Sequence, residues 1–98
     1  MPSSETDRLA TLPETERRAT LPNEVPLHAR PAGDFVRAAA QFPAQISVAA
    51  NGKRANAKSI LEILALGALG GTELVIAASG DRAAEAADHL AGLVPQLG

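Results

Sequence analysis

The sequence predicts one small α+β domain, an open-faced sandwich in which a four-stranded antiparallel sheet carries three helices on one face. Segments of strand and helix periodicity alternate along the chain in the order β-α-β-β-α-β-α. Two consecutive strands are joined by Asn51-Gly52, a strong hairpin signal because both turn positions require positive φ. The 98 residues suffice for one domain with one modest core.

The first predicted elements are an edge strand and a long helix. Residues 17–22 form the strand, which Pro22 closes because proline has no N–H to donate. Residues 29–42 then place apolar side chains at helical spacing. Pro31 lies in the first turn of this helix, where a missing N–H costs nothing, and Pro43 ends the helix.

A hairpin and a short helix follow. Residues 45–49 alternate apolar and polar side chains, and residues 53–56 return after the Asn-Gly turn. Ser59 and Glu62 form a capping-box pattern that opens a helix reaching Leu66.

The last predicted elements are a strand over residues 72–79 and a helix that Asp81 caps and that runs to about Leu97. The domain therefore occupies residues 17–98. Residues 1–16 are polar and show no sustained period, so we expect a disordered tail. Residues 8–14 nearly repeat residues 17–23, with five of seven positions identical.

Composition excludes several classes of function. The chain has no cysteine, so it has no disulfide, no thiol nucleophile and no cysteine-based metal site. Its two histidines are too far apart in sequence to close a zinc site on their own. The chain contains no apolar run of membrane-spanning length and no signal-peptide pattern, so we expect a cytoplasmic protein.

Charge is unevenly distributed along the chain. Residues 17–58 carry seven basic and two acidic residues, a surplus of +5, whereas residues 1–16 carry −3 and residues 59–98 carry −4. A basic segment on a mildly acidic protein favours an acidic protein partner or a phosphate group. The absence of Tyr and Trp argues against nucleic acid as a partner.

The chemistry centres on residues 27–32, Leu-His-Ala-Arg-Pro-Ala, which place His28 at the start of the first helix. Unpaired N–H groups and the helix dipole stabilise an anion there. The imidazole could carry a phosphoryl group, with the guanidinium of Arg30 matching phosphate oxygens. A lone histidine near a helix start is more often an exposed loop residue. His89, on the last helix, is expected to be such a surface residue.

This segment resembles the active-site segment of HPr, the histidine-containing phosphocarrier of the phosphoenolpyruvate-dependent sugar phosphotransferase system. The resemblance covers residues 17–97, and the element order is also that of the family. Further matches at the same spacings are Phe35-Val36, Asn51-Gly52-Lys53, Ala57-Lys58-Ser59-Ile60, Leu66-Gly67 and Gly71-Thr72. Pro26 stands where the family usually has glycine, which implies a different backbone path into the histidine.

The resemblance implies that His28 accepts a phosphoryl group on Nδ1 from enzyme I and passes it to an enzyme IIA. Arg30 corresponds to the active-site arginine of the family. The protein would be a monomeric stoichiometric carrier, not an enzyme, without cofactor or metal. Ser59 resembles the serine that an HPr kinase phosphorylates in some bacteria, although helix capping alone explains a serine at this position.

The short helix supplies a docking surface in this interpretation. A two-turn helix on a sheet buries one stripe, so we expect Ile63 and Leu66 inside and Leu61, Leu64 and Ala65 outside. The family presents this helix and the first helix to both partners. The residues expected to form this face are Ala29, Arg37, Ile60, Leu61, Leu64 and Ala65. Two other functions remain open: a regulatory HPr-like binding module, and a carrier for another phosphorelay, nitrogen-related or serving dihydroxyacetone kinase.

Overall fold

A four-stranded sheet forms one layer of the fold, as seen in a computed structural model that describes residues 14–98. Its strands are β1 (Thr15–Thr20), β2 (Gln45–Ala50), β3 (Lys53–Asn56) and β4 (Glu73–Ser79). They lie side by side in the order β1-β4-β2-β3, and every neighbouring pair is antiparallel. The first and third strands are therefore the edges of the sheet.

Three helices form the second layer. They are α1 (Ala29–Ala39), α2 (Ile60–Ala65) and α3 (Ala83–Leu93), and a single 3₁₀ turn (Val94–Gln96) follows the last of them. The predicted fold class, an open-faced α+β sandwich with three helices on a four-stranded antiparallel sheet, is confirmed. No helix in residues 14–98 is long and apolar enough to cross a bilayer.

The core lies between the two layers, where alternate strand residues meet the helices. Ile46 and Val48 of β2 and Ile76 of β4 are almost fully buried, and Phe35 of α1 packs into the same cluster. The intervening residues of these strands, such as Ser47, lie on the opposite face of the sheet. Period-two burial on the strands therefore fixes which side of the sheet receives the helices.

The first strand begins two residues before its predicted start and ends at Thr20. Thr15 and Glu16 pair with Ala78 and Ala77 of β4. The side chains of β1 are mostly exposed, so its backbone pairing to β4 sets its extent, and no apolar pattern marked its start. Of the predicted tail, residues 1–13 lie outside the described residues.

Both the first and the last helix differ from the prediction in their ends, and α3 ends at Leu93 instead of about Leu97. The first helix ends at Ala39, and Phe42 lies beyond it, buried, with its carbonyl oxygen accepting the ammonium of Lys58 at 2.6 Å. The prediction that Asp81 caps α3 is wrong, because the N-cap is Arg82 with a φ of 60°. The Arg82 guanidinium donates to Glu85 at 2.6 Å and lies 5.2 Å from the centre of the Phe42 ring, which stabilises this unusual cap.

Candidate functional site

His28 is the exposed N-cap of α1. Its backbone is extended, with φ −105° and ψ −164°, and its carbonyl oxygen accepts the N–H of Ala32 at 2.9 Å. Its side chain makes no capping hydrogen bond to the helix. The imidazole is therefore presented at a helix N-terminus without being used to stabilise that helix.

Two backbone hydrogen bonds hold the segment that leads to His28. The N–H of Leu27 donates to the carbonyl oxygen of Ala68 at 2.9 Å, and the Leu27 side chain is buried. The N–H of His28 donates to the carbonyl oxygen of Pro26 at 2.9 Å, which closes a three-residue turn. This turn is the backbone path by which the chain reaches the histidine with proline in place of glycine.

The first turn of α1 is open to an anion. The backbone N–H groups of Ala29 and Arg30 occupy the positions that have no intrahelical partner, and no acidic residue lies in this turn. The Arg30 side chain is exposed and takes part in none of the ion pairs found among residues 14–98. Free N–H groups, the helix dipole and an exposed arginine are thus all found in the first turn of α1, next to His28.

His28 does not line the surface depression found on the sheet. That depression lies on the open face of the sheet, where Ser47, Arg54 and Ser79 contribute to its wall. The described part of the chain contains no cluster of three or more side chains suited to holding a metal ion. The exposed side chain of His28 is accessible to a partner protein.

The predicted docking face contains exposed apolar side chains, and one of its residues is less exposed than expected. Ile60 and Leu61 are 38% and 77% exposed, and α1 lies against α2, so both helices contribute to one surface. Ile63 and Leu66 are buried, as predicted. Leu64 is less exposed than predicted, because it is half-buried and packs against the core.

Sequence reasoning missed one exposed apolar residue near this face. Leu69, in the loop between α2 and β4, is 68% exposed. It is the next residue after Ala68, whose carbonyl oxygen holds Leu27. No periodicity marks a side chain in a loop, so only the fold brings Leu69 towards the segment that carries His28.

The N-terminal end of α2 shows half of the predicted capping box. Ser59 is the N-cap, and its Oγ accepts the N–H of Glu62 at 3.3 Å. The Glu62 carboxylate does not return to Ser59 but accepts the N–H of Asn56 at 2.9 Å. The N–H of Ser59 donates instead to the carbonyl oxygen of Asn56 at 3.0 Å. Ser59 is therefore already engaged as a structural cap.

The remaining charged candidates lie apart from His28. Arg37 is exposed near the end of α1 and pairs with Asp34 one turn earlier. Arg17 pairs with Asp88 at 2.7 Å on the β1 side of the fold, so the basic surplus of residues 17–58 is not one patch. His89 is exposed on α3, as predicted, with its ring centre 5.5 Å from that of Phe42.

Comparison with known proteins gives consistent results. The family model described as "PTS HPr component phosphorylation site" matches residues 15–96. The phosphocarrier protein HPr of Vibrio cholerae is 44% identical over 82 residues, which cover 84% of this chain and 96% of the relative. The HPr-like protein Crh of Bacillus subtilis is 39% identical over 70 residues, covering 71% of this chain and 82% of the relative.

A solved structure shows the same fold. The crystal structure of a phosphocarrier protein HPr from Bacillus anthracis superposes with a TM-score of 0.78 at 37% identity. The match covers 83% of this chain and 96% of that one. Sheet order, helix layer and an exposed histidine at a helix N-terminus together define the class of small phosphocarrier domains. The chain belongs to the HPr family of the phosphotransferase system.

Proposed function

We propose that this protein is a stoichiometric phosphocarrier that accepts a phosphoryl group on His28 from enzyme I and donates it to enzyme IIA components. The observation that supports this proposal most strongly is the arrangement of residues at the N-terminus of α1. His28 is the N-cap, its side chain makes no capping bond, and Arg30 stands two residues further on. Membership of the HPr family supplies the direction of transfer.

The chain supplies the nucleophile and the groups that bind the phosphoryl oxygens, and the donor supplies the phosphoryl group. The Nδ1 lone pair of His28 attacks the phosphorus, a new N–P bond forms, and the bond from phosphorus to the donor breaks so that the donor is regenerated. The anionic phosphoryl oxygens then accept from the backbone N–H groups of Ala29 and Arg30 and from the Arg30 guanidinium. Onward transfer reverses these steps on the acceptor. The protein is unchanged after one cycle and acts as a carrier, not as an enzyme.

The partners dock on one face in this proposal. In this proposal the face combines the exposed apolar side chains of α2 with the basic side chains of α1. Enzyme I and enzyme IIA would use the same surface in turn, so only one can be bound at a time. The protein would act as a monomer in the cytoplasm.

Incubation with phosphoenolpyruvate and a bacterial enzyme I, followed by intact mass measurement, tests the assignment. The wild-type chain should gain one acid-labile phosphate, and His28→Ala should gain none. His89→Ala is the matched control, because it removes the other histidine and should still be labelled. Labelling of His28→Ala would show that another residue accepts the phosphate.

A regulatory role is the alternative function. The observation that favours it is the similarity to the HPr-like protein Crh. A module that acts only by binding has no need of a transferable phosphate on His28. A phosphorylated chain that transfers to no enzyme IIA would favour this alternative, or a carrier role in another phosphorelay. An HPr kinase acting on Ser59 is a separate proposal, based on the position of that serine at the exposed end of α2.

A further inference from the structure

The edge strand β1 has a second copy in the sequence. Residues 5–13 read Glu-Thr-Asp-Arg-Leu-Ala-Thr-Leu-Pro, and residues 14–22 read Glu-Thr-Glu-Arg-Arg-Ala-Thr-Leu-Pro. Seven of the nine positions are identical, and the two segments are directly adjacent. We call residues 5–13 the first copy and residues 14–22 the second copy. The second copy contains all of β1 and the buried Leu21 that follows it.

The positions that face the helices are the same in both copies. In the second copy, Arg17 and Ala19 stand opposite Ile76 and Leu74, two β4 residues that are fully buried under the helices. Arg17 reaches Asp88 of α3 from this side at 2.7 Å. The helix-facing positions of the second copy are Thr15, Arg17, Ala19 and Leu21. The first copy has the same residue types at positions 6, 8, 10 and 12.

The two differences fall on the open face of the sheet. Glu16 and Arg18 stand opposite Ala77 and Val75, and the first copy has Asp and Leu at these positions. Arg18 is exposed and pairs with Glu73 at 3.2 Å. An exposed ion pair contributes little, so the exchange of Arg for Leu there leaves the buried contacts of the strand intact.

We propose that the two copies are interchangeable edge strands, and that the first can replace the second on β4 within one chain. In the exchanged form the register is shifted by nine residues, so residues 6–11 pair with β4 and Leu12 fills the site of Leu21. Main-chain pairing does not depend on side-chain identity, and the buried side chains are the same. The described form is favoured because its connection to α1 is shorter.

The exchange acts on the segment that positions His28. From Leu21 to His28 the chain is 7 residues long, and from Leu12 it would be 16. In the described form, the backbone of Pro22 and Asn23 lies against Gly70 so closely that a Cβ at Gly70 would stand 2.1 Å from the Asn23 oxygen. The exchanged form releases this contact while Leu27 stays anchored.

Substitutions at the equivalent leucines test the proposal in the full chain. Leu21→Asp should lower the melting temperature by less than about 5 °C, because Leu12 can take its place. Leu12→Asp should leave the melting temperature unchanged, because the second copy already fills the site. In the double variant neither copy has its leucine, so the melting temperature should fall by more than about 10 °C. A Leu21→Asp variant as unstable as the double variant would overturn the proposal.

Engineered disulfides give an independent measurement, since the chain has no cysteine of its own. Thr20 stands opposite Glu73, and opposed residues in an antiparallel pair are close enough for a disulfide. Thr11→Cys with Glu73→Cys should therefore form an intrachain disulfide in the Leu21→Asp background. Thr20→Cys with Glu73→Cys in the wild-type background is the positive control.

The matched negative control adds Leu12→Asp to the variant that carries Thr11→Cys, Glu73→Cys and Leu21→Asp. This change should abolish the disulfide, because the first copy can no longer occupy the strand position. Equal cross-linking with and without Leu12→Asp would mean that the segment merely passes near Glu73, and would refute the exchange. A disulfide formed only between two chains would also refute it. Peptide mass mapping under non-reducing conditions distinguishes these outcomes.

Discussion

The side-chain amide of Asn51 donates to the carbonyl oxygen of Leu66 at 3.1 Å and so ties the β2–β3 turn to the C-terminal end of α2. It also lies 3.3 Å from the carbonyl oxygen of Gly67, and the ammonium of Lys53 donates to that of Ala65 at 3.3 Å. These carbonyls belong to the helix end, where no intrahelical donor remains. A helix of six residues is not stable alone, so the contacts with the turn help to hold α2 in place.

Asn51→Gly tests this anchoring role. Glycine accepts the φ of 55° that Asn51 adopts, so the turn should persist while the amide donor is lost. We expect a loss of about 1 kcal/mol in the free energy of unfolding and faster amide exchange within α2. The control is Gly52→Ala, which strains the turn at a φ of 73° without touching α2. Unchanged exchange in α2 of Asn51→Gly would show that the helix is held by other contacts.

The exposed side chain of Leu61 should matter for binding and little for stability. Leu61→Asp should weaken binding to enzyme I by roughly 1–3 kcal/mol, because an apolar contact is replaced by a charge. Its melting temperature should change little, since Leu61 is 77% exposed. Ala84→Asp adds the same charge at an exposed position of α3 and should leave binding intact.

Leu64→Asp should behave differently, because Leu64 packs on the core. We expect it to lower the melting temperature as well as the affinity. Calorimetric titration with enzyme I and thermal melts of both variants separate the two effects. If Leu61→Asp melts far below the wild type and still binds, Leu61 is a core residue and not a docking residue.

Some parts of the structure are determined by the local sequence. The Asn-Gly turn, the Ser59 cap and the alternation in β2 depend on neighbours within a few residues, and all three were predictable. The candidate site at His28 could also be predicted, because a histidine, an arginine and a proline at the start of the helix lie within four residues of one another.

The errors depend on contacts between distant segments. Leu64 is less exposed than predicted. The six residues of α2 do not by themselves determine which of their apolar side chains pack against the rest of the protein. Arg82, not Asp81, is the N-cap, and its guanidinium contacts the ring of Phe42, forty residues earlier, as well as Glu85. The start of β1 was missed because pairing with Ala78 and Ala77 of β4 extends a strand whose own side chains are polar.

We expect Ser59 to stabilise α2 as its N-cap, and we expect negative charge at this position to weaken the docking of enzyme I. Ser59→Ala removes the acceptor of the Glu62 N–H and should cost about 1 kcal/mol, seen as a fall of roughly 4–8 °C in melting temperature. Ser59→Asp keeps a good capping residue and adds negative charge at the N-terminus of α2. It should retain stability but slow phosphorylation of His28 by enzyme I. Equal rates for Ser59→Asp and wild type would argue against regulation through this serine.

Truncation at two points should separate the strand from the residues before it. Deletion of residues 1–13 keeps Thr15 and Glu16 paired with Ala78 and Ala77, so the melting temperature and the labelling of His28 should stay nearly unchanged. Deletion of residues 1–16 removes the first two residues of β1 and the Glu16 partner of Arg18, an exposed pair at 3.7 Å. We expect that shorter chain to melt a few degrees lower, because edge pairing is lost while the core is retained. Thermal melts and intact mass measurements on both truncations give the comparison. A drop of several degrees already on removal of residues 1–13 would show that the segment covers the sheet or the docking face in the dominant form.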